Sequence, residues 1–213
     1  MTAPGNQRPA DRPGADAAVV VIPVKAFDRA KVRLSEVLDG PERAALARAL
    51  ADRVLVAAEP LGIAVVCDDD VVASWARDAG AAVVWTPGLD LNAAVTEAVD
   101  RLAAAGVRRA VVAHADLPFA SGLAGFDSDD EDEVLVVADR RRDGTNVLSV
   151  PTGRGFRFAY GPGSFDRHRA EADRCALTVR VVDAEHLAWD GDEPADLEVP
   201  AHLGTLPVVG TSS

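Results

Sequence analysis

The sequence predicts an α/β fold in a single domain, built from a mostly parallel sheet flanked by helices. An almost unbroken apolar run at residues 17–24 is typical of a strand that is buried on both faces of such a sheet. From there to residue 116, short apolar runs alternate with segments of helical periodicity, as in repeated βαβ units. A chain of 213 residues suits one such domain with a sizeable core, and two domains would be cramped. We assign residues 17–207 to this domain, 1–16 to a disordered N-terminal tail and 208–213 to a C-terminal tail.

The individual elements follow from local patterns taken in chain order. Short runs rich in valine and other apolar residues predict strands at residues 17–24, 63–67, 81–85, 108–116, 132–139, 144–151, 157–160 and 177–183. Helical spacing predicts helices at residues 41–59, 70–80, 91–106 and 164–175. The segments 144–151 and 157–160 lie on either side of a glycine-rich turn, so we expect them to pair antiparallel.

The helix ends carry recognisable signals. Pro41 suits the first turn of a helix, and Gly80 and Gly106 suit helix termination. Ser164 is a plausible N-cap for the last predicted helix. The buried face of the first helix is predicted to consist of Leu46, Leu50, Val54 and Ala57.

Composition restricts the partners and the compartment. The net charge is −12 and the sequence pI is near 4.7, so the surface repels phosphates and we expect no nucleic-acid partner. No apolar run approaches the ~20 residues of a membrane helix, and the N-terminus lacks the apolar region of a secretory signal. Cys67 and Cys175 have neither metal-ligand spacing nor a disulfide framework. We therefore expect a cytoplasmic protein with no membrane contact.

The carboxyl ends of the predicted strands should bring Lys25, Asp116 and the loops around Thr145 and Gly161 near one another, because ligands of open α/β sheets bind there. Lys25 follows the first strand, and Asp116 ends the strand in VVAHADLPF, after which Pro118 stops the ladder. Asp116 is either a ligand for Mg²⁺ or a residue that caps a turn. We interpret His114 and His168 as hydrogen-bonded structural residues.

A basic cluster follows the first strand, with Lys25, Arg29, Lys31 and Arg33 within nine residues. These cations are either a solvated loop or a site for a triphosphate. The segment contains neither GxxxxGK[ST] nor GxGxxG, so neither a P-loop nor a dinucleotide site is supported.

Two further segments could bind anions or metal. GTNVL at 144–148 with YGPGS at 160–164 is either a turn-rich hairpin or an anion-binding nest ahead of a helix. In WDGDEPADL at 189–197, one reading is that Asp192 caps a short final helix; the other is that Asp190 or Asp192 is a second metal carboxylate facing Asp116. The acidic stretch at 127–133 is predicted to be a solvated loop.

Taken together, these motifs resemble one family. PVKxxxxAKxRL, PGLDLNAA, HADLP, DGTNVL, YGPGSF and a DxDxPxDL ending, in this order over residues 17–200, are similar to the guanylyltransferases of coenzyme F-420 biosynthesis, which act on phosphoenolpyruvate or 2-phospho-L-lactate. The resemblance implies a Rossmann-like nucleotidyltransferase fold of the MobA-like type. It also implies GTP and the acid as substrates, Mg²⁺ as cofactor and a downstream transferase that takes up the product.

The resemblance also implies roles for individual residues. Those expected to hold the metal are Asp116, Asp190 and Asp192. Those expected to hold phosphoenolpyruvate are Thr145, Gly161 and Ser164. Those expected to hold GTP are Lys25, Lys31, Arg33 and, near the nucleoside, Asn92, with Lys25 and Asp116 acting in catalysis. The chain reads DGDEPADL where the family form is DxDTPxDL, so the choice between Asp190 and Asp192 stays open.

The expected reaction is transfer of GMP from GTP to phosphoenolpyruvate. The Ala- and Arg-rich composition is typical of a high-GC bacterium, which for this family favours phosphoenolpyruvate over 2-phospho-L-lactate. A non-catalytic GTP-binding module is a second alternative. A sugar-nucleotide or molybdopterin enzyme of the same fold is disfavoured, because PVKAFDRAKVRL stands where those enzymes usually have a GxGxR loop.

Overall fold

The computed structural model describes residues 18–207, so both predicted tails and the first residue of the predicted first strand lie outside the described part. The strands are β1 (Ala18–Pro23), β2 (Gly62–Cys67), β3 (Ala82–Trp85), β4 (Arg109–Ala113), β5 (Glu133–Ala138), β6 (Thr145–Pro151) and β7 (Thr178–Val181). The helices are α1 (Gly40–Ala58), α2 (Asp70–Asp78), α3 (Leu91–Ala104), α4 (Ser164–Arg174) and α5 (Glu185–Ala188). None of the described helices is both long enough and apolar enough to cross a membrane.

The strands form one sheet in the order β3-β2-β1-β4-β6-β5-β7. All neighbouring pairs are parallel except those of β6, which runs antiparallel to β4 and β5. The predicted class, an α/β domain with a mostly parallel sheet, is therefore confirmed. From β1 the chain proceeds outward to β2 and β3 and then returns to β4 on the other side of β1. The carboxyl ends of β1 and β4 thus flank the crevice where such sheets bind ligands.

The apolar run of β1 is explained by burial on both faces. Val20 and Ile22 pack in the core on the side of α1 and α2, which also contains Val54 and Trp75. Val19 and Val21 face the opposite core, to which α3 and α4 contribute residues such as Val95 and Phe165. Because successive side chains alternate between the faces, both sets of residues must be apolar.

The first helix follows its sequence signals closely. Asp39 accepts a hydrogen bond from the backbone of Glu42, whose side chain accepts one from the backbone of Asp39, and Pro41 lies in the first turn. The predicted inward face is buried, namely Leu46, Leu50, Val54 and Ala57. Gly80 and Gly106 take the positive φ expected of glycines that follow a helix.

The predicted hairpin of 144–151 with 157–160 is wrong. The first segment is β6, which pairs with β4 and β5, whereas 157–160 has no strand structure. The backbone of Tyr160 instead bonds with the side chain of Asn92, and Phe158 packs in the core. The backbone of Tyr160 therefore finds its hydrogen-bond partner in a side chain on α3, and residues 157–160 need no neighbouring strand.

The predicted N-cap at Ser164 is also wrong. Gly163, with φ of +72°, is the capping residue, and Ser164 is the first helical residue and is buried. The backbone N–H of Gly163 donates to the side chain of Asp143. A left-handed residue is required at the turn, and glycine adopts that conformation without strain.

Candidate active site

A cavity of about 480 Å³ opens beyond the carboxyl ends of β1, β2, β3 and β4. One wall is formed by charged residues of the loop after β1 and by two carboxylates, namely Lys25, Arg29, Lys31, Arg33, Asp116 and Asp192. Asp68, Thr86 and Leu89 line it at the ends of β2 and β3. Lys25 and Asp116 thus meet at one cavity as expected, whereas Thr145 and Gly161, which were expected near them, do not line it.

Lys31 lies at the centre of the charged wall. Its ammonium Nζ is 2.8 Å from Asp116 Oδ2 and 2.8 Å from Asp192 Oδ1, and its side chain is only 5% exposed. Burial by itself would lower the pKa of Lys31, but the charges of Asp116 and Asp192 raise it above the ordinary value. Lys31 is therefore a charged bridge between the loops of Asp116 and Asp192, which lie 85 and 161 residues from it in sequence.

The carboxylates Asp116 and Asp190 have opposite tendencies to ionise. Burial would raise the pKa of Asp116, but the charges of Lys31 and His114 bring it down to about 2. Burial, together with repulsion from Asp116 and Asp192, raises the pKa of Asp190 to about 7. One oxygen of Asp116 and one of Asp190 are buried without a hydrogen-bond partner. The cluster therefore has oxygen acceptors that the described protein atoms do not satisfy.

Asp192 is held at the cavity by the turn that follows it. Asp196 is fully buried and accepts hydrogen bonds from the backbone N–H groups of Asp192 and Glu193, at 3.0 and 2.7 Å. Its other oxygen pairs with Arg140. The alternative that Asp192 caps the final helix is wrong, because Glu193 caps the short 3₁₀ turn Pro194–Leu197 and the Asp192 side chain contacts Lys31 instead.

Asp116 and Asp192 have the donor type that Mg²⁺ prefers, namely one or two carboxylates completed by phosphate oxygens and water. In the part of the chain that the structure describes, no three His, Cys, Asp or Glu side chains are grouped closely enough to hold a metal. The two carboxylates nevertheless converge on a single positive charge, that of Lys31. The pair therefore suits a divalent cation completed by ligands from outside the protein.

Of the residues expected to hold phosphoenolpyruvate, Thr145 and Ser164 are buried and Gly161 is exposed, and none of the three lines this cavity. The backbone of Ser164 donates to the carbonyl of Gly161, at 3.0 Å. Thr145 Oγ1 lies 3.0 Å from Nδ1 of His168, whose Nε2 accepts the N–H of Ala159. Nδ1 of the neutral ring therefore carries the proton and donates to Thr145, which leaves the hydroxyl proton of Thr145 free to point elsewhere.

Two aromatic rings connect these residues to the cavity. His114 lines the cavity, and its ring centroid is 5.2 Å from that of Tyr160, which in turn is 4.8 Å from that of His168. Nε2 of His114 and the hydroxyl of Tyr160 are buried without hydrogen-bond partners. The interpretation of His168 as structural is supported by its two hydrogen bonds, whereas His114 belongs to the cavity wall.

The other residues predicted to bind the nucleotide differ in whether they line the cavity. Lys25 and Arg33 line the cavity, and Arg33 also lies 3.6 Å from Glu193. The amide of Asn92 bonds at both ends with the backbone of Tyr160 and is not part of the cavity wall. Its expected contact with the nucleoside stays a prediction.

Sequence reasoning missed several residues at this site. Asp68 and Thr86 follow β2 and β3 directly, so the rule that singled out Lys25 and Asp116 could have found them. Asp196 could have been singled out as the last acidic residue of the DxDxPxDL motif. The bridge from Lys31 to both carboxylates has no local sequence signal, because its partners come from distant loops.

The fold defines the class of protein. A crystal structure of a Desulfovibrio desulfuricans G20 protein assigned as a nucleotide-diphospho-sugar transferase superposes with a TM-score of 0.63 at 16% identity, covering 78% of this chain and 79% of that one. The chain thus has a nucleotide-diphospho-sugar transferase fold. Within that class, the family model described as "Guanylyl transferase CofC like" matches residues 18–203, and the chain belongs to this family.

Curated relatives carry two related names. A phosphoenolpyruvate guanylyltransferase of Rubrobacter xylanophilus is 36% identical, covering 83% of this chain and 90% of that protein. A 2-phospho-L-lactate guanylyltransferase of Archaeoglobus fulgidus is 35% identical, covering 84% of this chain and 80% of that protein. The resemblance drawn from the sequence motifs is therefore confirmed at the level of the family.

Proposed function

We propose that this chain transfers GMP from GTP to phosphoenolpyruvate, giving enolpyruvoyl-2-diphospho-5'-guanosine and pyrophosphate in coenzyme F-420 biosynthesis. The observation that carries the proposal is the cavity in which Asp116 and Asp192 converge on one positive charge beside Lys25, Arg29 and Arg33. Membership of a guanylyl transferase family supports GTP as the donor. The names of the relatives support a phosphorylated three-carbon acid as the acceptor.

The chemistry needs positioning and charge neutralisation more than covalent help. A phosphate oxygen of the acid bonds to the α-phosphorus of GTP as the bond from that phosphorus to the bridging oxygen of pyrophosphate breaks. Lys25, Arg29 and Arg33 would neutralise the leaving pyrophosphate. No general base is required, because a phosphate monoester is already ionised near neutral pH.

Mg²⁺ would be held by Asp116 and Asp192, with Asp190 close by, and when bound it would neutralise charge on the phosphates. These carboxylates lie at the ends of two loops that meet only in the folded chain. Thr145, Gly161 and Ser164 would hold the acid next to His114. The hydroxyl proton of Thr145 is suited to this role, because the His168 ring leaves it free to donate to an anion.

The test is pyrophosphate release with GTP, Mg²⁺ and either phosphoenolpyruvate or 2-phospho-L-lactate. We expect release with phosphoenolpyruvate, a preference for it in competition with the lactate, and at least ~100-fold slower release in Asp116→Asn. Asp129→Asn makes the same change of charge on an exposed residue that does not line the cavity, and it serves as the control. No pyrophosphate with either acid would overturn the proposal.

The rival function is a GTP-binding module without catalysis, which would bind GTP with no release of pyrophosphate and no dependence on Mg²⁺. We favour catalysis because the chain belongs to a guanylyl transferase family and its curated relatives are named as guanylyltransferases. We further propose that the enzyme works in the cytoplasm, consistent with its free thiols Cys67 and Cys175. The product would be handed to a downstream transferase.

A further inference from the structure

We propose that Lys31 is an internal placeholder for the divalent cation. In the empty enzyme its ammonium holds Asp116 and Asp192 close together, and the metal displaces it when it binds. This inference rests on the proposed function, because it takes the two carboxylates as metal ligands. It assigns Lys31 a role as a positioning residue that is distinct from binding phosphate.

Lys31 holds the two carboxylates at nearly the separation that a metal requires. Lys31 Nζ is 2.8 Å from one oxygen of Asp116 and 2.8 Å from one oxygen of Asp192, so these two oxygens are at most twice that distance, 5.6 Å, apart. Mg²⁺ binds oxygen at about 2.1 Å, so the same two oxygens on one ion would be at most about 4.2 Å apart. Lys31 thus keeps the carboxylates within a short movement of metal-binding separation.

The charges of the cluster favour either the ammonium or a metal at this place, but not both. Two carboxylates at this distance repel each other, and Asp116 is largely buried, so the pair needs a positive charge in the absence of metal. A divalent metal on the same oxygens would lie within a few ångströms of the ammonium, and the two cations would repel each other strongly. Lys31 and the metal therefore compete for one place.

Lys31 leaves part of Asp116 without a partner. Asp116 Oδ1 is buried with no hydrogen-bond partner among the described residues, although Oδ2 of the same carboxylate pairs with Lys31. A divalent cation with its bound water offers more charge and more donors than one ammonium group. The two carboxylates Asp116 and Asp192 are therefore suited to exchange Lys31 for such an ion.

The surroundings of Lys31 allow its side chain to move when a metal displaces it. Lys31 directly precedes the 3₁₀ turn Val32–Leu34 and has a left-handed backbone, with φ of +55°, which is strained in residues other than glycine. Lys25, Arg29 and Arg33 line the same cavity. Once it is displaced, the ammonium is next to the proposed triphosphate site, so arrival of the metal and binding of phosphate become coupled through one side chain.

The test measures Mn²⁺ binding to the nucleotide-free, full-length protein by electron paramagnetic resonance. We expect Lys31→Met to bind Mn²⁺ at least about tenfold more tightly than wild type, because the competing charge is gone. The matched control is Lys25→Met, which removes a lysine of the same cavity that makes no ion pair within the described residues. The Mn²⁺ affinity of Lys25→Met should stay within about threefold of that of the wild-type protein.

Equal or weaker Mn²⁺ binding by Lys31→Met, or equal tightening by Lys25→Met, would overturn the proposal. If Lys31→Met does not fold, Lys31→Gln replaces it, because its neutral amide can still donate to one carboxylate, and the same tightening is expected. Mn²⁺ should also raise the melting temperature of the Lys31 variant more than that of wild type. Failure of the proposed function is seen separately, as wild-type protein that binds Mn²⁺ normally but releases no pyrophosphate.

Discussion

At the level of single residues, His168 illustrates how burial fixes a protonation state. Its ring is 1% exposed, donates from Nδ1 to Thr145 and accepts at Nε2 from the backbone of Ala159. Burial and then the charge of Arg167 lower the pKa of His168 to about 4. The ring therefore stays neutral, and the tautomer that serves Thr145 is kept at physiological pH.

We predict that His168 makes the fold sensitive to mild acid. Its contribution to stability is complete above pH 6.5 and is lost as the pH falls toward about 4, because the unfolded chain takes up the proton first. The free energy of unfolding should fall by about 2 kcal/mol from pH 7.5 to pH 5 through this residue. Urea denaturation of wild type and His168→Gln at both pH values measures the effect. An identical pH dependence in the two proteins would contradict it.

Arg109 is a second residue whose role is structural. Its guanidinium is fully buried and donates to the carbonyls of Ser128, Asp130 and Glu133 and to the hydroxyl of Ser149. Burial and the nearby Arg108 lower its pKa. The acidic stretch is exposed at residues 129–132, as predicted, but this buried cation anchors its backbone.

Replacing Arg109 by Met should destabilise the protein by about 3 kcal/mol or more, because several buried carbonyl groups lose their donor. Arg154→Met is the matched control, since Arg154 also bonds to this loop but through an exposed pair with Asp132. The control should lose less than about 1 kcal/mol. The comparison is made by chemical denaturation, and equal losses in the two variants would disprove the anchoring role.

At the level of elements, the turn Pro194–Leu197 decides where Asp192 lies. Asp196 accepts from the backbone of Asp192 and Glu193 and pairs with Arg140 and Arg141 while fully buried. The turn is therefore held by a buried acidic side chain that does not line the cavity. This explains why a loop so close to the end of the chain can contribute a precisely placed carboxylate.

Asp196→Ala should cost about 2–4 kcal/mol, because it leaves two backbone N–H groups without their acceptor and Arg140 without its partner. It should also weaken Mn²⁺ binding several-fold, since Asp192 is no longer held over Lys31. Glu193→Gln, on the same turn but exposed, should change stability by less than about 1 kcal/mol. Thermal melts and Mn²⁺ titrations provide the readouts. Wild-type Mn²⁺ affinity in the folded alanine variant would show that the turn does not position Asp192.

At the level of the whole molecule, the site depends on parts of the chain that are far apart in sequence. Lys31 follows β1, Asp116 follows β4, and Asp192 lies beyond β7 near the other end of the described chain. Binding of GTP with Mg²⁺ should therefore stabilise contacts between the loop after β1, the loop after β4 and the loop that carries Asp192. A ligand that binds only the folded state stabilises it in proportion to its occupancy.

We predict that GTP with Mg²⁺ at 100 times its dissociation constant stabilises the protein by about 2.7 kcal/mol. Asp192→Ala should lose most of this gain at the same ligand concentration, because the metal loses a ligand and Mg²⁺–GTP binds less tightly. Thermal shift with GTP, with Mg²⁺ alone and with both measures the coupling. A full shift in Asp192→Ala would exclude this loop from the site.

The sequence by itself determined the fold class and most of the helices and strands. Burial on both faces made β1 an unbroken apolar run, and Pro41, Gly80 and Gly106 gave the helix ends, because these signals act within a few residues. It also singled out the residues at the strand ends, since the edge of a parallel sheet is set by the order of its elements.

Only the tertiary structure decided which of these groups meet. It joined Lys31 to Asp116 and Asp192, gave the backbone of Tyr160 to Asn92 in place of a strand partner, and buried Thr145 against His168. Each of these contacts spans 23 to 161 residues of sequence. Contacts over such distances depend on how helices and strands pack, and no local pattern of residue types encodes them.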